Sequence, residues 1–440
     1  MPGRSDLRAL ARDLLRAASL PETVVWVRAR AVGHTRWFHE GPTTAGESER
    51  VDVHVTAAMD GRSASVRGVA ERLADARALL SEAEALARLA PKDPEHVPPV
   101  GAVKVPRVRR FDRRLAAAGP EGRRKLVAPA IERALARGVQ PSGFCRVEVQ
   151  RTVVADSAGL DAYDEGTEIA LSLTCRTPDG TGSSKGGVVS HRLRGIDPAA
   201  LGERVAAAAE RARAPRPIDP GRYTVVLAPE AAADLLAFLR VAMSLRAAEE
   251  GRSAFSAPGG RTKIGERLFD ERVTIGSDPA DPRHPSSPLG PGGYPVRRTV
   301  WVDRGRLVAL PVGRAWAARR GLAPRPMGSS MFVAGGKGDA QSLVRTVQRG
   351  IYVTRFWYNR VLAARSLTVT GMTRDGTFWI EDGAIAHPIK NLRYNESPLR
   401  VLANLVALGT PVRSGLSRAV LVVPPMVVRD FTFSSTSDAV

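Results

Sequence analysis

The sequence predicts an α+β fold, with N-terminal helix-plus-strand layers and a C-terminal β-rich half built of hairpins with a few helices. Three observations carry this reading. Apolar residues alternate with period two at Val51, Val53 and Val55, and again at Ile169, Leu171 and Leu173, as half-buried strands require. Leucines recur at helical spacing in residues 4–18, and an Ala/Leu-rich helical pattern covers about 69–90. Asp-Gly pairs at Asp60-Gly61, Asp375-Gly376 and Asp382-Gly383 lie between β-rich runs, where tight hairpin turns need positive φ.

In chain order, Leu7, Leu10, Leu14 and Leu15 share a face of the first helix, which Pro21 ends. TVVWVRARAV reads as a strand, WFHEGPTTAG as a turn region, and RVDVHVTAAMDGRSASVRGV as a hairpin. The 69–90 helix stops at Pro91, so the first unit is α-β-β-β-α. Residues 91–108 carry five prolines and read as an extended linker. A helix over 120–138 opens at Pro120 and closes at Gly138, with Pro129 a candidate kink. CRVEVQRTVVADSAGLDAYDEGTEIALSLTCRTPDG is a strand series. Asp197-Pro198 then caps a helix to about 213. Residues 213–221 are a second linker. These boundaries place an N-terminal α+β domain over 1–212 and a β-rich domain over 221–440.

In the second half, 223–228 is a buried strand and Pro229 opens a helix to about Glu250. Residues 251–295 form a long Gly-, Pro- and Ser-rich loop. VRRTVWVDRGRLVAL is a hairpin turning at Asp303-Arg304-Gly305. Asp339 caps a short helix that turns Leu343, Val344 and Val347 inward and that Gly350 closes. Residues 350–398 read as a β-meander, with Leu367 and Val369 on its buried face. A helix near 397–408 and the strand-like VLVVPPMVVRDFTF end the chain.

At 440 residues, 43% hydrophobic and 25% charged, the chain suits a globular protein of two or three domains. No apolar run approaches the roughly 18 residues that a membrane span needs, and the N-terminus lacks a signal-peptide core. A cytoplasmic protein without a membrane partner is expected. The net charge of +20 would suit an acidic partner surface or nucleic acid. Its arginines are spread along the whole chain with no nucleic-acid motif, which disfavours the second. Cys145 and Cys175, each within a strand-like run, are expected as buried reduced thiols.

The residues alone reveal no catalytic set. The GGKG at 335–338 departs from a Walker A loop and reads as a turn before a helix. His34, His39, His54, His96, His191, His284 and His387 include no pair at helical metal-ligand spacing, and His387 reads as a strand histidine. Ser183-Ser184 and Ser329-Ser330 read as turn residues.

Three segments, GIYVTRFWYNR at 350–360, TGMTRDGTFWIEDGAI at 370–385 and PIKNLRYNES at 388–397, resemble the C-terminal signature of the TldD/PmbA family, in which PmbA is also called TldE. VVADSAGLDAYDEGTEIALSL, VVLAPEAAADLLAFL, GERLFDERVTI and YPVRRTVWVDRGRL resemble further family segments in the same order. The likeness covers nearly the whole chain and is weakest before residue 140. It implies a heterodimeric TldD/TldE-type zinc metalloprotease that cleaves unfolded or extended peptides, including modified-peptide precursors and an antitoxin.

In the TldD type, zinc is held by a helical HExxxH motif and a distant Cys. The motif lies on the helix after the strand that 223–228 resembles. Here that helix reads PEAAADLLAFLRVAMSL and has no His. The Cys comes from a Cys-Gly-Lys-like segment near the C-terminus. Here that region reads VRSGLSRAV, and no Cys follows Cys175. The resemblance therefore implies a PmbA/TldE-type subunit, a component of a metallopeptidase with no catalytic residue, zinc ligand or cofactor of its own. Zinc is expected in a TldD-type partner carrying HExxxH. This chain would complete the chamber and help hold an extended peptide, with Tyr358, Asn359, Arg360, Arg374, Asn391 and Asn395 as candidate peptide or interface residues. The alternative is a stand-alone peptide- or nucleic-acid-binding regulatory homodimer without protease activity, motivated by the charge.

Overall fold

The computed structural model describes residues 1–39, 41–416 and 420–437. The first half contains α1 (Arg4–Ala17), β1 (Glu22–Phe38), β2 (Gly41–Met59), β3 (Arg62–Val69), α2 (Leu73–Leu89), α3 (Arg113–Ala116), α4 (Pro120–Ala136), β4 (Gln140–Asp156), β5 (Asp161–Arg176), β6 (Ser183–Ser190) and α5 (Pro198–Arg211). The two expected helix-plus-strand layers form one antiparallel sheet of order β3-β2-β1-β4-β5-β6. They join because β1 pairs with β4 from Val24↔Asp156 to Phe38↔Ser142, so neither long strand is left with a bare edge. Helices cover one face of this sheet. Leu7, Ala11 and Leu14 of α1 and Leu80 and Ala83 of α2 pack on Val25, Val27, Val53 and Val55. Val127, Ala130 and Ala134 of α4 and Leu201 and Val205 of α5 pack on Leu171, Leu173 and Cys175.

Local signals in this half are realised closely. Asp60 and Gly61 both have positive φ at the β2–β3 turn. The Asp197 carboxylate accepts the Ala200 N–H at 2.9 Å, capping α5. Cys145 and Cys175 are free and buried, and burial pushes both thiols up to about 12. The expected turn region WFHEGPTTAG is mostly strand, because β1 runs through a buried Trp37 to Phe38 and β2 begins at Gly41. Cross-strand pairing there outweighs turn-like composition.

The second half contains β7 (Gly221–Leu227), α6 (Pro229–Ala242), α7 (Leu245–Glu249), β8 (Ser256–Ala257), β9 (Arg261–Thr262), β10 (Ile275–Ser277), β11 (Thr299–Asp303), β12 (Arg306–Leu307), α8 (Arg314–Arg319), β13 (Ser330–Val333), α9 (Ala340–Val344) and β14 (Arg349–Val353). It continues through β15 (Phe356–Ala363), β16 (Thr368–Thr373), β17 (Thr377–Glu381), β18 (Ala384–Pro388), β19 (Asn391–Glu396), α10 (Pro398–Ala403), β20 (Leu405–Leu408), β21 (Val412–Arg413), β22 (Val420–Val423) and β23 (Met426–Ser437). One sheet has the order β12-β11-β10-β13-β22-β21. A larger one has the order β15-β16-β19-β23-β7-β14-β17-β18, with β20 paired to β23. Ala231, Leu235, Leu236 and Leu239 of α6 share one buried cluster with Val225, Leu227 and Ile351 of the larger sheet and Ile275, Met331 and Val333 of the smaller.

The strands of 350–398 do not form the expected continuous meander. Asp382-Gly383 does turn an antiparallel β17–β18 hairpin. Asp375-Gly376 does not turn one: β16 pairs with β15 and β19, β17 pairs with β14 and β18, and β19, β23, β7 and β14 lie between them. The expected helix to Glu250 breaks after Ala242, and Ser244 caps the separate α7 by accepting the Ala247 N–H. Gly350 does not close α9. It lies within β14, where an added Cβ would stand 2.5 Å from the Thr224 carbonyl oxygen. The expected helix near 397–408 ends at Ala403, and Leu405 begins β20. Among the described residues, no helix is long and apolar enough to cross a membrane.

Candidate functional site

β7 delivers the chain to Pro229, which opens α6 at a position where its missing N–H costs nothing. Glu230 and Asp234 follow one turn apart on one side of α6, separated by three alanines that face the core. Both residues are partly buried and individually bonded. Glu230 accepts the Gly415 N–H at 2.6 Å through Oε1, and the Ser414 hydroxyl and the Leu416 N–H (3.3 Å) through Oε2. Burial raises its pKa, and these donors oppose the rise. Asp234 accepts the Phe356 N–H at 3.0 Å. Burial pushes its carboxyl up to about 7, against the pull of the Arg355 guanidinium.

The loop that reaches Glu230 also touches the first half of the molecule. A Cβ on Gly415 would stand 2.0 Å from the Gly187 carbonyl oxygen of β6, so this approach requires glycine. A second link lies nearby. Arg355 forms a buried ion pair with Asp375 at 3.2 Å, and the Ser183 hydroxyl donates to the other Asp375 oxygen at 2.7 Å. Ser183 and Ser184 are therefore not turn residues but open β6, and Ser330 opens β13. Gly182–Gly186 spells Gly-x-Ser-x-Gly, yet Ser184 pairs with Cys175 inside the sheet and not at a strand-to-helix turn, so it is no nucleophile elbow.

Beside these links lies a cleft of about 360 Å3 between the two halves, lined by Phe38, Gln140, Ser142, Thr174, Arg176 and Lys185 on one side and Arg355, Trp357, Arg374 and Asp375 on the other. The structure places the six candidate residues differently from one another. Arg374 lines the cleft. Tyr358 and Arg360 are exposed on β15, an edge strand, with the Arg360 guanidinium 4.8 Å from the Tyr358 ring centre. Asn359 accepts the Tyr394 hydroxyl at 2.7 Å and so braces β15. Asn391 accepts the hydroxyls of Thr373 (3.2 Å) and Thr377 (3.4 Å), bridging the ends of β16 and β17. Asn395 is exposed on β19, opposite Thr370. Sequence reasoning passed over Glu230, Asp234, Lys185 and Arg355. Two carboxylates four residues apart in an otherwise Ala/Leu-rich helix were the available signal.

These residues do not fit a zinc ion. Pro229 has no donor atom, Ser414 offers a hydroxyl, and both carboxylates are engaged by N–H or O–H donors. Among the described residues, no group of three His, Cys, Asp or Glu side chains is placed to hold a metal.

The profile of the PmbA/TldA metallopeptidase C-terminal domain matches residues 220–435, and that of the central domain matches residues 71–213. The chain belongs to this family. It is 26% identical over 318 residues to a metalloprotease of Methanothermobacter thermautotrophicus (strain Delta H), covering 67% of this chain and 68% of the relative. TldE from Thermococcus kodakarensis shares the fold, with a TM-score of 0.84 at 17% identity over 97% of this chain and 99% of that one. A Bacteroides thetaiotaomicron protein does so too, with a TM-score of 0.84 at 18% identity over 98% of both chains.

Proposed function

We propose that this chain is a PmbA/TldE-type subunit with no zinc centre of its own, which pairs with a TldD-type chain carrying HExxxH and helps hold extended peptide for cleavage there. The supporting observation is the Glu230 cluster. Laid on α6, HExxxH takes the register Pro229-Glu230-Ala231-Ala232-Ala233-Asp234, and Ser414-Gly415 stands where the resemblance places Cys-Gly. The glutamate is retained while proline, aspartate and serine replace the three ligands. The two segments that zinc would bridge are joined instead by hydrogen bonds from Ser414, Gly415 and Leu416 to Glu230. Lewis-acid hydrolysis needs a metal to lower the pKa of its water and polarise the carbonyl, so chemistry by that route belongs to the partner.

Strand β15 suits the peptide-holding part of the role. It is the edge of the larger sheet, and Trp357, Tyr358, Val361 and Leu362 are exposed along it. An extended peptide adds most simply to such an edge. Co-expression with a TldD-type chain of the same genome, followed by size-exclusion chromatography, tests the pairing. A stable mixed complex is expected. Recovery of this chain only as a homodimer, with no partner bound, would favour the stand-alone reading.

A further inference from the structure

Leaving Arg374 aside, the described residues that line the cleft between the two halves still bring three cations against one carboxylate. Arg176, Lys185, Arg355 and Arg374 line it, against Asp375. We propose that this cleft binds the carboxylate of an acidic peptide segment.

Each wall is built by a different half. Ser142, Thr174 and Lys185 stand side by side across β4, β5 and β6, because Ser142 pairs with Thr174 and Thr174 with Lys185. Their face is opposite the one that Leu173 and Cys175 bury under α4 and α5. Arg355, Trp357 and Arg374 form the opposing wall. The two guanidiniums lie 5.2 and 5.5 Å from the Trp357 ring centre, which fixes where their charges sit.

Two observations call for an anion there. Among the described residues the Lys185 side chain, only partly exposed, makes no hydrogen bond or ion pair. Arg355 is 8% exposed, and its buried Nε has no partner although a terminal nitrogen meets Asp375. Burial, together with Arg355, holds the Lys185 ammonium below its ordinary pKa. An entering carboxylate relieves both the desolvation and the like-charge repulsion. Gln140, Ser142 and Thr174 add neutral hydrogen-bonding groups, and the half-exposed rings of Phe38 and Trp357 offer apolar contact to flanking residues. The volume suits an acidic side chain or a chain end with its neighbours.

This rests on the reading that the chain handles extended peptide, but it needs neither zinc nor a partner. A failure here leaves the pairing intact, and a failure to pair leaves this intact. The test is fluorescence anisotropy of the full chain with short dye-labelled peptides. One has internal glutamates and an amidated C-terminus, one has neutral side chains and a free C-terminal carboxylate, and one has glutamines and an amide. A single-stranded DNA oligonucleotide of similar length is the fourth probe. At least one carboxylate peptide is expected to bind about tenfold or more tighter than the neutral one, and whichever wins identifies the source of the carboxylate. Lys185→Gln and Arg176→Gln, checked for folding by circular dichroism, should each remove most of that preference. Lys185→Arg should keep it, and Lys337→Gln, exposed and outside the cleft, should leave it unchanged. Equal binding of acidic and neutral peptides, wild-type preference in folded Lys185→Gln and Arg176→Gln, or displacement of the acidic peptide by the oligonucleotide at equal concentration would overturn the proposal.

Discussion

Glu230, in the first turn of α6, accepts the backbone N–H of Gly415 at 2.6 Å across 185 residues of chain. The same carboxylate holds Ser414 and Leu416, so one side chain fixes the approach of a distant loop to the helix. Replacing Glu230 by Ala leaves two backbone N–H groups and a hydroxyl without that acceptor. A loss of about 2–4 kcal/mol in a urea-unfolding measurement is expected. Glu230→Gln keeps one acceptor oxygen and should lose less. Equal, negligible losses for both variants would remove Glu230 from this role.

Asp234 gives the fold a pH dependence with a defined sign. Its carboxyl is pushed from an ordinary 3.8 up to about 7 in the folded chain. Between those values the folded state keeps a proton that the unfolded chain has released. Its contribution is therefore fully present below about pH 4 and is lost as pH rises through about 7. Asparagine does not titrate and retains an acceptor for the Phe356 N–H. The Asp234→Asn variant should therefore gain on the wild type between pH 5 and pH 8, by about 2–3 kcal/mol. A difference that does not change with pH would contradict the assignment.

Gly415 meets Gly187 backbone to backbone, and an added Cβ would stand 2.0 Å from the Gly187 carbonyl oxygen. Gly415→Ala must push the loop from β6, and a loss of about 1–3 kcal/mol is expected. Hydrogen exchange at residues 414–416 should rise more than at α1, which lies in a different core. Exchange unchanged at the loop would show that the contact constrains nothing.

The register drawn on α6 can be tested by restoring ligands. The triple change Pro229→His, Asp234→His and Ser414→Cys places three zinc ligands around the retained Glu230. The purified triple variant should carry close to one zinc per chain by elemental analysis, and the three single variants should carry little. A zinc-free, folded triple variant would show that the register is wrong.

Much of the fold was legible because its signals are local. Asp197 as a cap, Asp60-Gly61 and Asp382-Gly383 as hairpin turns, and the alternation in β5 each need only neighbouring residues. The split between β16 and β17 was not legible. It depends on β7, β14 and β23 entering the sheet from far along the chain, which no alternation pattern encodes. The join of β1 to β4 escaped for the same reason. At the site, the missing histidines on α6 could be read directly. The roles of Glu230, Lys185 and Arg355 could not, because their partners lie on segments far away in sequence.

On the proposed function, peptide cleavage needs a second, zinc-bearing chain. The most direct measurement compares hydrolysis of an unfolded peptide by this chain alone, by a TldD-type partner alone and by their mixture, with zinc quantified in each. Hydrolysis by the mixture only, with the zinc in the partner, is the predicted result. Hydrolysis by this chain alone, with stoichiometric bound zinc, would contradict it.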